Sequence, residues 1–195
     1  MRKNLPLAVT ILSVVFITFY YFQALDANEY VMSLQEARER RINVIELDSI
    51  EVNPKKIDFF KISKEYKFDA VFKPCVKPDT IELKYDLEDI QQPFLVVGKI
   101  DFLSPMGDTF TLSVFREIKK VDEFIVPFGD QTNGQTSSEY GRVLALPRDM
   151  TELSFVDFNL SYNPYTEYSA KYNCLAVPTE NQLPFSIEAG EKKYQ

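Results

Sequence analysis

From Tyr66 onward the chain alternates apolar with polar residues. Tyr66, Phe68, Ala70 and Phe72 interleave with Lys67, Asp69, Val71 and Lys73, the period-two signature of a strand with one buried face. Ile81, Leu83 and Tyr85 repeat the pattern against Glu82, Lys84 and Asp86, and Lys73–Asp79, with Pro74 and Pro78, predicts a turn between the two runs. Phe94 to Leu103 is nearly all apolar, which predicts a strand buried on both faces. Ser104-Pro105-Met106-Gly107-Asp108 predicts a turn, and Phe110, Leu112 and Val114 alternating with Thr109, Thr111 and Ser113 complete a hairpin. Further strands are expected at 122–128, 140–146, 153–160 and 183–188. Within 153–160, alternation puts Val156, Phe158 and Leu160 on one face and Asp157 and Asn159 on the other. The prediction is a mainly β (α+β) domain, an antiparallel sheet curled into a barrel or folded into a sandwich.

Ahead of the strands the pattern differs. Leu5 to Leu25 is uncharged and includes Leu12, Val14, Val15, Phe16, Ile17, Phe19 and Phe22. Its length, roughly 20 residues, matches a bilayer-crossing helix. Arg2 and Lys3 precede it and Asp26 and Glu29 follow it, which orients the domain away from the cytoplasm, and Tyr20 and Tyr21 suit an interfacial belt. A signal peptide cut after Ala24 or Ala27 is the competing reading, although Leu25 and Phe22 are poor residues for a cleavage site. In either case the domain, residues 28–195, is expected outside the cytoplasm, in the periplasm or at the exterior of a bacterial cell. Asp26 and Glu29 resemble a capping box, behind which Val31, Leu34, Arg38, Ile42 and Ile45 lie near one stripe. Residues 28–46 therefore read as an amphipathic helix, and the charges at Glu36, Arg38, Glu39, Arg40 and Arg41 as its solvated face. Asn53-Pro54 breaks the chain, with a short helix expected at 56–61.

Composition removes several chemistries. The chain carries no histidine, which excludes Ser-His and Cys-His nucleophiles, histidine-ligated zinc and histidine-bound haem. Neither a Walker phosphate loop nor a dinucleotide glycine fingerprint occurs, and no cofactor is expected. A net charge of −7 without a basic block argues against nucleic-acid binding. Cys75 and Cys174 allow a disulfide closing a loop of about 100 residues in an oxidising compartment. Two separate buried thiols fit the sequence equally well.

The C-terminal third concentrates polar residues among turn formers. Pro127-Phe128-Gly129-Asp130-Gln131-Thr132-Asn133-Gly134 is followed by Gly141-Arg142-Val143-Leu144, Asp157-Phe158-Asn159 and Tyr162-Asn163-Pro164. Then come Cys174 to Leu183, containing Pro178, Asn181 and Leu183, and Ala189-Gly190-Glu191-Lys192. In this order the motifs resemble those of the domain of unknown function 1684 family, specifically over 124–194 and more weakly over 28–123. The resemblance implies a bacterial or archaeal protein of about this size, often exported, with no established activity. Where that family commonly carries a cysteine after Asn-Pro, this chain reads Tyr165-Thr166-Glu167-Tyr168, so Cys174 reads as structural.

The candidate polar cluster is Asp130, Thr132, Arg142, Asp157, Asn159, Asn163, Asn181 and Glu191. The first functional reading is a membrane-anchored binding or accessory module that presents this cluster to a polar ligand, a glycan or an envelope partner protein. The second is a hydrolase in which Asp130, Asp157 and Glu191 supply acid and base and Arg142 stabilises an anion. Oxygen ligation of Ca²⁺ by Asp130, Asp157 and Asn159 is a minor option. Against all three stands the tendency of Asp, Asn and Thr in turns to satisfy nearby backbone groups.

Overall fold

The computed structural model describes residues 5–47, 52–85, 88–104, 107–118, 123–147, 149–172 and 175–195, with side chains for all of these but 5–11, 47 and 82–92. The chain divides into two compact units, Met1–Arg40 and Arg41–Gln195.

One helix, α1, runs from Leu5 to Leu47. Two separate helices are expected from the sequence, but no glycine or proline occurs between Leu7 and Leu47, and the Asp26/Glu29 box does not interrupt the hydrogen-bond ladder. Among the described residues no helix is long and apolar enough to cross a membrane, so the expected spanning segment finds no support there. Leu34 and Ile45 are buried, as the predicted stripe requires. In the second unit Ile45 packs with Ile57 and Tyr168, flanked by Ile42, Phe59 and Tyr165. The expected helix at 56–61 is instead a 3₁₀ turn at Pro54–Lys56, capped by the Asn53 side chain, which accepts from the Lys55 amide at 3.1 Å.

Among the described residues six strands form one antiparallel sheet. In chain order they are β1 (Lys67–Tyr85), β2 (Glu88–Leu103), β3 (Thr109–Glu117), β4 (Phe124–Phe128), β5 (Arg142–Leu146) and β6 (Phe155–Asp157). The spatial order is β5-β4-β3-β2-β1-β6, and the sheet curls into a half-barrel. A bridge between Val143 and Tyr162, just past β6, draws the two edges together with N–H···O bonds of 2.9 and 3.0 Å.

Three expectations are corrected. Lys73–Asp79 does not turn the chain back. Pro74 pairs with Gly98 and Asp79 with Val96, so the four residues between them form a bulge opposite Val97 in one long strand. Pro74 and Pro78 lack ladder donors, which interrupts pairing without reversing direction. Phe94–Leu103 is buried on one face only. Phe94, Ile100 and Phe102 point inward while Lys99 and Leu103 are exposed, as in an antiparallel sheet solvated on one side. Residues 183–188 form no strand. That tail runs over the core, held by a parallel bridge between Gln182 and Gly129 and by the Leu183 amide donating to the Gly129 carbonyl at 2.8 Å.

The main core is aromatic. Phe158 meets Phe68, Phe102 and Phe128 at centroid distances of 5.6, 5.7 and 5.0 Å, in the edge-on and tilted arrangements that rings favour. Leu183, Ile187 and Ala189 of the tail close over the same cluster.

Candidate functional site

The tail lies between two chain segments. On one side the Gln131 amide donates to the Phe185 carbonyl, and on the other the Phe60 amide donates to the Gly190 carbonyl and the Lys192 amide to the Asp58 carbonyl. Beneath it lies the first group of predicted residues. Asp130 ends β4 in a turn and Arg142 begins β5, on a strand paired with β4. The Arg142 Nη2 is 2.7 Å from Asp130 Oδ2, with neither side chain exposed to solvent. The same nitrogen donates to the Ile187 carbonyl at 2.7 Å, and Nη1 donates to the Ala189 carbonyl. Asp130 Oδ1 accepts from the Thr132 amide and hydroxyl at 2.8 and 2.6 Å and from the Ile187 amide at 3.2 Å. Burial pulls the proton affinity of Arg142 down, and the charge of Asp130 pulls against it.

Glu191 forms the second group. The Tyr168 hydroxyl donates to its Oε1 and the Asn163 amide to its Oε2, the latter at 3.1 Å. Burial pushes its carboxyl up to about 7, against the lowering effect of those two bonds. Burial first, and the Glu191 charge second, also raise the Tyr168 phenol. The Asn163 side chain donates to the Lys192 carbonyl at 2.7 Å, and the Asn163 backbone carbonyl accepts from Arg41 Nη2 at 3.1 Å.

Asp157, Asn159 and Asn181 belong elsewhere. Asp157 Oδ1 accepts from the Asn159 amide and side chain at 3.0 and 2.8 Å. Asn159 in turn bonds both backbone groups of Ser63, at 3.1 and 2.8 Å. The expected outward face of 153–160 therefore does not exist. β6 ends at Asp157 and a 3₁₀ turn follows, so Asp157 and Asn159 are buried with Val156 and Phe158, while Leu160 is exposed. Asn181 bonds the Ser113 amide and carbonyl at 2.7 and 3.0 Å and the Pro127 carbonyl at 2.8 Å, as an extra strand would.

All eight predicted residues are thus buried, and each is spent largely on backbone or neighbouring side chains. Among the described residues no three His, Cys, Asp or Glu side chains come together in a way that could hold a metal ion, and the two carboxylates of the calcium reading belong to different hydrogen-bond groups, Asp130 with Arg142 and Thr132 and Asp157 with Asn159. Cys75 carries a free thiol, and Cys174, with the expected pairing, lies outside the described residues.

The chain matches the model of the family described as protein of unknown function (DUF1684) over residues 54–192. It belongs to that family. It is also similar to the solution NMR structure of an uncharacterised protein from gene locus rrnAC0354 of Haloarcula marismortui, at 26% identity and a TM-score of 0.67. That match covers 86% of this chain and 96% of the archaeal one. No curated protein matches.

The open concave surface lies away from most of the buried polar groups. A cleft of about 650 Å³ separates Leu144–Pro147 from Glu152–Asp157, walled mostly by apolar side chains and touched by Asp157 alone of the predicted set. A second cavity, of about 600 Å³, is lined by Arg41, Glu123, Tyr162 and Tyr165 among apolar neighbours. Arg41, read from sequence as part of a solvated face, lies instead with its guanidinium carbon 4.2 Å from the Tyr162 ring centre and 5.0 Å from that of Tyr165. The readable signal is the three-residue spacing of Tyr162, Tyr165 and Tyr168 around Asn163-Pro164.

Proposed function

We propose that the protein is a non-catalytic binding or accessory module, tethered to a membrane by its N-terminal helix and acting outside the cytoplasm. The observation that carries the binding reading is a separation. Asp130, Arg142 and Glu191 are buried and hydrogen-bonded along the tail, whereas the open concave surfaces, which carry Asp149, Glu152 and Asp157 in one case and Arg41 and Glu123 in the other, are walled mainly by apolar and aromatic side chains. Apolar-walled concavities of this size bind ligands or partners.

The tether draws on the exposed apolar residues of α1. Leu12, Phe16 and Tyr20 are each 69% exposed, and Val15, Ile17, Phe19 and Phe22 are exposed beside them. Apolar side chains on every side of a helix call for lipid or a partner around it. The run from Leu12 to Leu25 is about 20 Å long as a helix, short of the ~30 Å hydrocarbon layer, and the uncharged residues from Leu5 supply the remainder. In fractionated cells the full chain should stay in the membrane pellet after alkaline extraction, and protease added to intact spheroplasts should digest its β domain. A chain released by alkali, or one protected from protease, contradicts the reading.

One observation favours the hydrolase alternative, the raised proton affinity of Glu191. A carboxylate pair needs a common cleft, and Glu191 is 1% exposed with its oxygens held by Tyr168 and Asn163. The binding reading asks less of this geometry. Glycosidase substrates turned over by the full chain but not by Glu191→Gln would reverse that ranking.

A further inference from the structure

Arg41 is a cation without a matching anion. Among the described residues no carboxylate lies within ion-pair distance of it. Its Nη2 donates to the Asn163 backbone carbonyl, and its buried Nε finds no acceptor. Glu191 acts on it from a distance, but both oxygens of that carboxylate are occupied and burial favours its neutral form. A guanidinium offers five donors in a planar fork, and this one lies against the faces of Tyr162 and Tyr165, which hold its plane. It lines the cavity of about 600 Å³, a volume in the range of small-ligand sites. Val44, Phe124, Ile125, Ala145, Leu146 and Pro164 supply apolar walls. The exposed Glu123 stands on the same lining.

We propose that this cavity binds a small organic monocarboxylate, its carboxylate on Arg41 and its aromatic or aliphatic body against Phe124, Ile125 and Leu146. The inference rests on the binding-module reading and gives it a site and a ligand class. A single guanidinium matches one negative charge, and its planar fork of donors fits the two oxygens of a carboxylate. Glu123 and the overall charge of −7 disfavour a phosphate or a second carboxylate on the same ligand. Apolar walls reward burial of the body and add no competing donors.

The test is a methyl-detected NMR titration of the full chain in detergent with phenylacetate, against its uncharged analogue phenylacetamide. Phenylacetate should shift the methyls of Val44, Ile125, Ala145 and Leu146 saturably. Phenylacetamide should bind at least roughly tenfold more weakly, since it offers Arg41 no charge. Arg41→Met should abolish the shifts. Because Arg41 also supports Asn163, Val44→Trp provides an independent check. It fills the cavity from a half-exposed position, and should likewise abolish binding while the remaining spectrum stays folded. Equal affinity for acid and amide, shifts that survive Val44→Trp, or no saturable shift each overturn the site. Saturable shifts confined to the methyls of Leu153 and Leu160 would overturn it too, yet would leave the binding-module reading standing at the other cleft.

Discussion

Arg142 and Asp130, twelve residues apart, form an ion pair at 2.7 Å with no solvent exposure of either side chain. Both also hold the C-terminal tail. Arg142 takes the carbonyls of Ile187 and Ala189, and Asp130 takes the amide of Ile187. The polar residues that look like a site in the sequence are, in large part, the fastening between that tail and the half-barrel.

Breaking this pair should cost far more than its net contribution. Arg142→Met strands a buried carboxylate, and a loss of about 3–5 kcal/mol in urea unfolding is expected. Combining it with Asp130→Asn should recover part of that loss, because the amide oxygen can still accept from Thr132 and Ile187.

Gly141 precedes Arg142 with φ +79°, and a Cβ there would lie 2.3 Å from Val177 Cγ2 and 2.7 Å from the Phe128 carbonyl oxygen. Gly107 has φ +88° with open space around it. Gly107→Ala should cost only the left-handed backbone penalty, about 1–2 kcal/mol. Gly141→Ala should cost a further 1–3 kcal/mol or so for the clash. Thermal melts of the two variants test the difference.

Glu191 predicts a pH dependence of definite sign. Its ordinary value is 4.5 and its folded value about 7. Below 4.5 both states hold the proton. Between 4.5 and 7 only the folded state does, so this contribution to stability falls as pH rises through that window and is gone above it. The change should be at most about 3 kcal/mol. Glu191→Gln, compared with the parent by denaturant unfolding at pH 4.5, 6 and 8, should show no such fall.

Asn181 substitutes for a missing strand neighbour. Asn181→Ala leaves the Ser113 amide and carbonyl and the Pro127 carbonyl without their partner, and a loss of about 2–3 kcal/mol is expected. Leu160→Ala, at an exposed position, should stay within about 0.5 kcal/mol of the parent.

The β2–β3 hairpin is legible in the sequence because alternation along Thr109–Val114 and the turn at Gly107 are both local. Pro74 to Asp79 is misleading because two prolines announce a turn and a bulge in the same letters, and only Gly98 and Val96 across the ladder decide between them. The polar motifs of the C-terminal third are legible as a group, but their role is not. Arg142 reaches Ile187 and Ala189, Asn181 reaches Ser113, and Asn159 reaches Ser63, and no periodicity encodes pairings of that range. Arg41 is hidden for the same reason, since its ring partners follow more than 100 residues later.

Native-state hydrogen exchange of the Ile187 amide tests the fastening most directly, because among the described residues that proton is held by the Asp130 side chain alone, 57 residues away. If the tail is locked as described, this amide exchanges with an opening free energy close to that of global unfolding, and Arg142→Met lowers both together. Exchange through a low-energy local opening, unaffected by Arg142→Met, would contradict the account.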